Sequence, residues 1–198
     1  MSMPIRLWLL ASVFLLAGCS FTAPYNRAHI TPAAPVAADH AGQVLVYTTS
    51  ADDAYVFTGK PTSFTGGGTK LSLPLGMMTR EIAGMVFSER FQQGHIKSGV
   101  LNGAEYGLTV HPKVKHIEYA YNQLKNLGFA ITPQVRLVLT VDVLDAQGKV
   151  VRSVEYDSGL TDGKSYMLSG APAEQVSKIA HQTLYDLMRK AADDLVKG

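Results

Sequence analysis

The residue types able to do chemistry in this chain are few and widely spaced. There is one cysteine, Cys19, and there are six histidines, at 29, 40, 95, 111, 116 and 181. With no second cysteine, Cys19 has no internal disulfide partner. Zinc sites place close histidine pairs on one element. His111 and His116 are five apart, which on a regular strand puts them on opposite faces, so no metal site is expected. His181 is read as solvated, on the polar side of a helix. Asp52-Asp53, Asp157, Asp162 and Asp193-Asp194 lack the spacing of a calcium loop. The last pair falls near a helix C-terminus, where negative charge is mildly unfavourable, and is read as a solvated end. Gly66-Gly67-Gly68 lacks the Lys-Ser/Thr of a phosphate-binding loop and the helix that should follow, so it reads as a flexible loop. No Gly-x-Ser-x-Gly elbow is present. Met77, Met78 and Met85 suit a soft, adaptable face but read better as helical core. Lys113, Lys115 and Lys125 around Tyr119 and Tyr121 form a mildly basic, aromatic stretch that could touch anionic lipid, polysaccharide or peptidoglycan; an exposed strand face is the preferred reading. No catalytic, cofactor-binding or metal-binding residue is assigned, and the chain is read as non-enzymatic with no cofactor.

The elements that would position these residues follow from periodicity. Gln43–Tyr47 reads as a first strand. Thr48–Thr69 is polar and glycine-rich, with Phe57 and Phe64 available to dock on the core. Lys70–Pro74 alternates, placing Leu71, Leu73 and Leu75 on one side. From Gly76 the spacing turns helical through Met78, Ile82, Met85 and Val86, with Arg80, Glu81, Glu89 and Arg90 on the wetter face and Gln93-Gly94 as the stop. Glu105–Tyr121 reads as one long strand or two with a bend; Pro112 puts it at an edge or a bulge. Asn122–Phe129 reads as a loop or single helical turn. Val135, Leu137, Leu139, Val141 and Val143 form one face of a hairpin that turns over Asp145–Lys149 and returns through Val150–Tyr156. Ser158–Ala171 is loop-like. Pro172 suits the first position of a helix whose stripe runs Val176, Ile179, Ala180, Thr183, Leu184, Leu187, Ala191 and Leu195. Two helices on one face of a mostly antiparallel sheet give an α+β two-layer sandwich.

The N-terminus gives the address. Arg6 precedes an apolar run from Leu7 to Ala17, which is a secretory signal pattern, too short for a membrane-spanning helix of about 20 residues. Leu16-Ala17-Gly18-Cys19 resembles the lipobox of bacterial lipoproteins. That resemblance implies cleavage between Gly18 and Cys19, a diacylglyceryl group on the thiol and acylation of the new amine. Ser20, rather than aspartate, after the cysteine resembles the outer-membrane sorting state. The expected organisation is therefore a signal peptide over 1–18, a lipidated Cys19 with an Ala/Pro-rich tether over 19–42, and a single α+β periplasmic domain over 43–198; the alternative to a free tether is an ordered strap lying on the domain, at least for its last few residues. Removing the signal removes Arg6 and leaves 17 basic against 16 acidic residues, so there is no bulk electrostatic case for nucleic acid.

The order of lipobox, tether, strand, helix, hairpin and C-terminal helix is similar to small outer-membrane lipoproteins of Gram-negative envelopes: the YajG-like lipoproteins, the auxiliary lipoproteins of ABC-type lipid transporters and the lipopolysaccharide-assembly lipoprotein. The resemblance implies an outer-membrane protein, lipid-anchored on the periplasmic face, acting as a non-enzymatic binding or assembly accessory. The alternative is a component that transports lipid or glycolipid, which requires an apolar groove between sheet and helices. The expected partners are the membrane, through the lipid anchor, and an envelope protein or polymer; self-association by edge-strand pairing is a further option.

Overall fold

The computed structural model describes residues 20–34, 40–98, 101, 106–167 and 172–197. Their elements, in order, are β1 (Ser20–Thr22), β2 (His40–Thr48), α1 (Ser50–Asp53), β3 (Phe57–Gly59), β4 (Lys70–Leu73), α2 (Leu75–Arg90), β5 (Phe91–Ser98), β6 (Leu108–Asn122), β7 (Thr132–Leu144), β8 (Val150–Asp157), β9 (Thr161–Asp162) and α3 (Pro172–Lys197). Residues 1–18, read as a signal peptide, and Cys19 lie outside the described residues.

The architecture is α+β. The main sheet runs β5-β2-β6-β7-β8, with β9 paired to β7; a small sheet runs β1-β4-β3. The long hairpins β6-β7 and β7-β8 are antiparallel, while β5 and β6 flank β2 in parallel. Parallel neighbours need a crossover, and α2 lies in the one between β2 and β5. The odd residues of β7, from Val135 to Val141, are buried and face α3, which packs on β7 and against α2. Leu71, Leu73, Leu75, Met78, Ile82, Val86 and Phe87 complete one continuous core.

Two elements depart from the sequence reading. The helix from Gly76 does not run to Gly94. It ends at Arg90, where Phe91 turns extended and starts β5. Gly94 sits opposite Val44 within a parallel ladder, so pairing with β2 overrides the weak strand propensity of Gln92-Gln93-Gly94. In addition, Arg90 is not on a wet face. Its side chain is 10% exposed and its Nη2 lies 2.6 Å from Asp193 Oδ1 on α3. The Asp193-Asp194 pair, read as a solvated end, thus includes the partner of a buried cation and ties α2 to α3.

The stretch read as a tether lies on the domain over residues 20–34. β1 pairs in parallel with β4, Ala23 and Ile30 are buried, and the backbone of Asn26, Thr31 and Ala33 bonds to side chains of α3. An extended-tether reading is therefore replaced, for these residues, by a strap.

Candidate functional site

The long strand β6 carries a bulge, and the bulge makes the site. Val110, Pro112 and Val114 face the helices, and then Ile117, Tyr119 and Tyr121 do; the register shifts between Val114 and His116. A one-residue insertion flips every later side chain. It leaves His111, Lys113, Lys115, His116 and Glu118 all on the outer face, in line with Asp142, Thr140, Val138 and Arg136 of β7. The expectation that His111 and His116 face opposite sides is thereby corrected. They share a face but sit opposite Asp142 and Val138, about 14 Å apart along the sheet, too far for a common ion. Among the described residues no three His, Cys, Asp or Glu side chains cluster as a metal would need.

β2 pairs with β6 only as far as Val110. Pro112, which has no N–H to offer, comes just after that ladder stops. Further along, Thr62 N–H donates to Tyr119 O and Tyr121 N–H donates to Ser63 Oγ, which closes the same edge again. Between these two closures, Pro112 to Lys115 border a groove of about 750 Å³. Its opposite wall is Thr48, Ala51, Asp52, Tyr55 and the first turn of α2; its floor includes Thr140, Asp142, Ser153 and Glu155.

The wall is held by close packing and by ion pairs. Thr49 and Asp52 form a reciprocal capping box on α1. Asp52 also takes His111 Nε2 at 2.8 Å, and the Tyr47 ring meets His111 edge-on with centroids 5.3 Å apart. Burial pushes the Asp52 carboxyl up, but the bonds from Thr49 and His111 outweigh it and the net shift is downward. Asp53 pairs with Arg80 of α2 at 3.2 Å. Gly76 lets α1 sit against α2: a Cβ there would lie 1.9 Å from Asp52 O. On the floor, Lys113 Nζ is 2.8 Å from Asp142 Oδ2 and Ser153 donates to Asp142 Oδ1. Burial raises the Asp142 pKa, and the bonds from Lys113 and Ser153 more than reverse that. Lys115 pairs with Glu155. Thr48 Oγ1 is buried and has no hydrogen-bond partner among the described residues. Such an orphaned hydroxyl costs about 1–3 kcal/mol of desolvation, which a guest group in the groove would recover.

The other sequence candidates resolve as follows. The basic, aromatic stretch is not one exposed face: Tyr119 and Tyr121 point into the core, 1% and 7% exposed, and Lys113, Lys115 and Lys125 each hold a carboxylate, the last that of Asp162. Asp157 is clasped by Arg136, which together with the Gly159 N–H holds its carboxyl down to about 2. Met78 is buried, while Met77 is exposed. Phe57 meets Tyr119 edge-on, but Phe64 is fully exposed rather than docked. His181 is not solvated. It is fully buried under the strap, its Nε2 accepting from Asn26 N–H at 3.1 Å and its Nδ1 donating to Ser177 O at 2.7 Å. The Tyr25 ring stacks on it and His29 meets it edge-on. Burial pushes its pKa down to about 4, against the raising effect of the Ser177 bond; His29 lowers it further. One signal in the sequence pointed there: Tyr185, Met188 and Ala192 continue from His181 as a second buried ridge on α3. The groove had no such signal.

No family model matches the chain, and no curated sequence is similar to it. Its fold is similar to that of a DUF330 protein from Xanthomonas campestris, at 15% identity over 89% of this chain and 91% of that one, TM-score 0.49. It is also similar to the subunit of the PelC dodecamer from Paraburkholderia phytofirmans, at 12% identity over 80% and 91%, TM-score 0.38. A minor lipoprotein from Acinetobacter baumannii matches at 11% identity over 78% and 91%, TM-score 0.34. Likenesses this distant say nothing of what this chain does.

Proposed function

We propose that this chain is a lipoprotein held in the outer membrane through Cys19, facing the periplasm, and that its domain is a non-enzymatic binding or assembly accessory of the cell envelope. The observation that supports a binding role is the groove along Pro112–Lys115. Among the described residues it combines an unpaired strand edge, an orphaned Thr48 hydroxyl and a wall of paired charges. An extended segment of a partner can add to such an edge by backbone hydrogen bonds, with the side-chain pockets setting specificity. The groove's ionisable groups satisfy one another, which suits recognition better than proton transfer. Lipid transport needs an apolar groove between sheet and helices, whereas that space is filled by Leu137, Leu139, Phe87 and Leu184, each fully buried.

A photo-crosslinking residue at Tyr55, which lines the groove and is 45% exposed, tests this in intact cells. The expected result is a discrete adduct with an envelope protein or polymer, lost when Lys115 is replaced by glutamate. A probe at Tyr55 that captures nothing while the protein remains membrane-bound would contradict the binding role.

A further inference from the structure

The five most exposed large apolar side chains among the described residues are Phe64, Leu124, Leu127, Phe129 and Met167, from 103% down to 66% exposed. The fold gathers all five at one end. Ser63 bonds the end of β6 through Tyr121 N–H, and Gly66 lies against the Tyr121 ring, so the turn bearing Phe64 sits beside the β6–β7 connection bearing the next three. The bridge between Ile131 and Tyr166 brings Met167 alongside. Exposed apolar groups scattered singly are ordinary; five gathered at one end of a small domain mark a contact surface. The backbone supports the display: Leu127 is held in the left-handed region at φ 50°, followed by Gly128 at φ 84°, a conformation that leucine seldom adopts.

The chain's own N-terminus says what covers this end. Ser20 pairs with Lys70 in the parallel β1-β4 ladder, one residue from Thr69, which closes the Phe64 turn onto Gly66. Ser20 is bonded directly to Cys19. With residues 20–34 bound to the domain as a strap, no free tether separates the anchor from the fold. We infer that this end of the domain lies in the headgroup layer of the leaflet that holds the Cys19 acyl chains, with Phe64, Leu124, Leu127, Phe129 and Met167 reaching into the lipid. Each apolar group contributes to binding in proportion to its buried area, as a second membrane signal beside the acyl chains, and phenylalanine and leucine combined with basic residues are the composition of surfaces that lie in that interface. Lys70 stands opposite Ser20 in the β1-β4 ladder, and Lys164 is three residues before Met167. The inference rests on the proposed Cys19 anchor. It sets an orientation: the β7-β8 turn points away from the membrane, about 40 Å off by the length of β7.

The processed chain offers a clean probe, because its only tryptophan, Trp8, belongs to the signal. Phe129→Trp and Val151→Trp place a single indole at the patch and at the far end; both sites are exposed, 76% and 62%, so folding is preserved. The full-length acylated variants are reconstituted in vesicles of phosphatidylethanolamine and phosphatidylglycerol. Phe129→Trp is expected to shift its emission to the blue and to be quenched by lipid brominated on the acyl chains, while Val151→Trp is quenched by acrylamide alone. If Cys19 carries its acyl chains by mass and neither reporter is quenched by brominated lipid, the orientation is overturned and the anchor stands. A blue shift at Phe129→Trp that depends on protein concentration and not on lipid would assign the patch to a second copy and also overturn it. An unacylated Cys19 would overturn both the anchor and the inference built on it.

Discussion

Replacing His181 by glutamine isolates the acid response of the strap. The folded protein keeps His181 neutral: Nδ1 carries the proton toward Ser177 O, and Nε2 must stay bare to accept from Asn26 N–H. A second proton would set two donors face to face in a buried site. Its pKa in the fold is about 4 against an ordinary 6.5. Between these values the unfolded chain takes up a proton that the folded chain refuses. His181 therefore costs no stability above about pH 6.5 and progressively more as the pH falls toward 4, reaching about 3 kcal/mol. At neutral pH His181→Gln loses the Tyr25 stack and part of the packing, about 1–2 kcal/mol, but the cost no longer grows with acid. Urea unfolding of the detergent-solubilised protein and its variant across that window gives the difference directly. Hydrogen exchange at the amides of Asn26, Thr31 and Ala33 should quicken first in the wild type, as the strap lifts before the domain opens. Identical pH dependence in the two proteins would refute the reasoning.

Three further perturbations test the parts that hold the domain and its groove. Asp193→Ala strands the Arg90 guanidinium between α2 and α3 and should cost about 1–3 kcal/mol in denaturant unfolding, less than a fully buried pair because Asp193 is one-third exposed; Arg90→Met in the same chain should recover much of it. Gly76→Ala drives a methyl into the α1 carbonyls and should destabilise by about 3 kcal/mol, with loss of the Asp52–His111 contact visible as a histidine NMR shift. Thr48→Val removes the orphaned hydroxyl, so the free protein should be more stable by about 1–3 kcal/mol, while capture of the partner by the Tyr55 probe falls.

Strict periodicity is what made parts of the fold legible. The inner face of β7 alternates from Val135 to Val141, and the α3 stripe holds its 3.6-residue period, so both could be read directly; the ladder with β8 shifts register between Val143 and Leu144. The bulge in β6 also left a trace: its core residues change from even numbers at Leu108 and Val110 to odd numbers at Ile117, Tyr119 and Tyr121. Pro112 does not mark that jump; it follows the end of the β2 ladder, and the register shift comes later, between Val114 and His116. Three features were illegible for a common reason, which is dependence on distant partners. β5 is a strand because β2 lies beside it. The strap has the composition of a linker and is ordered by His181, Gln182 and Tyr185, some 150 residues away. The groove exists because β2 stops short of β6, which no local pattern encodes.

The central claim is the lipid on Cys19, since both the address and the orientation of the domain follow from it. Intact-mass measurement of the processed protein from a Gram-negative host, with palmitate labelling of wild type and Cys19→Ala in parallel, addresses it directly. The expected result is a chain beginning at Cys19 that carries diacylglyceryl and amide-linked acyl groups, labelled in the wild type and unlabelled in the variant. A processed chain with a free thiol, found in the periplasmic fluid and taking up no more label than the variant, would contradict it.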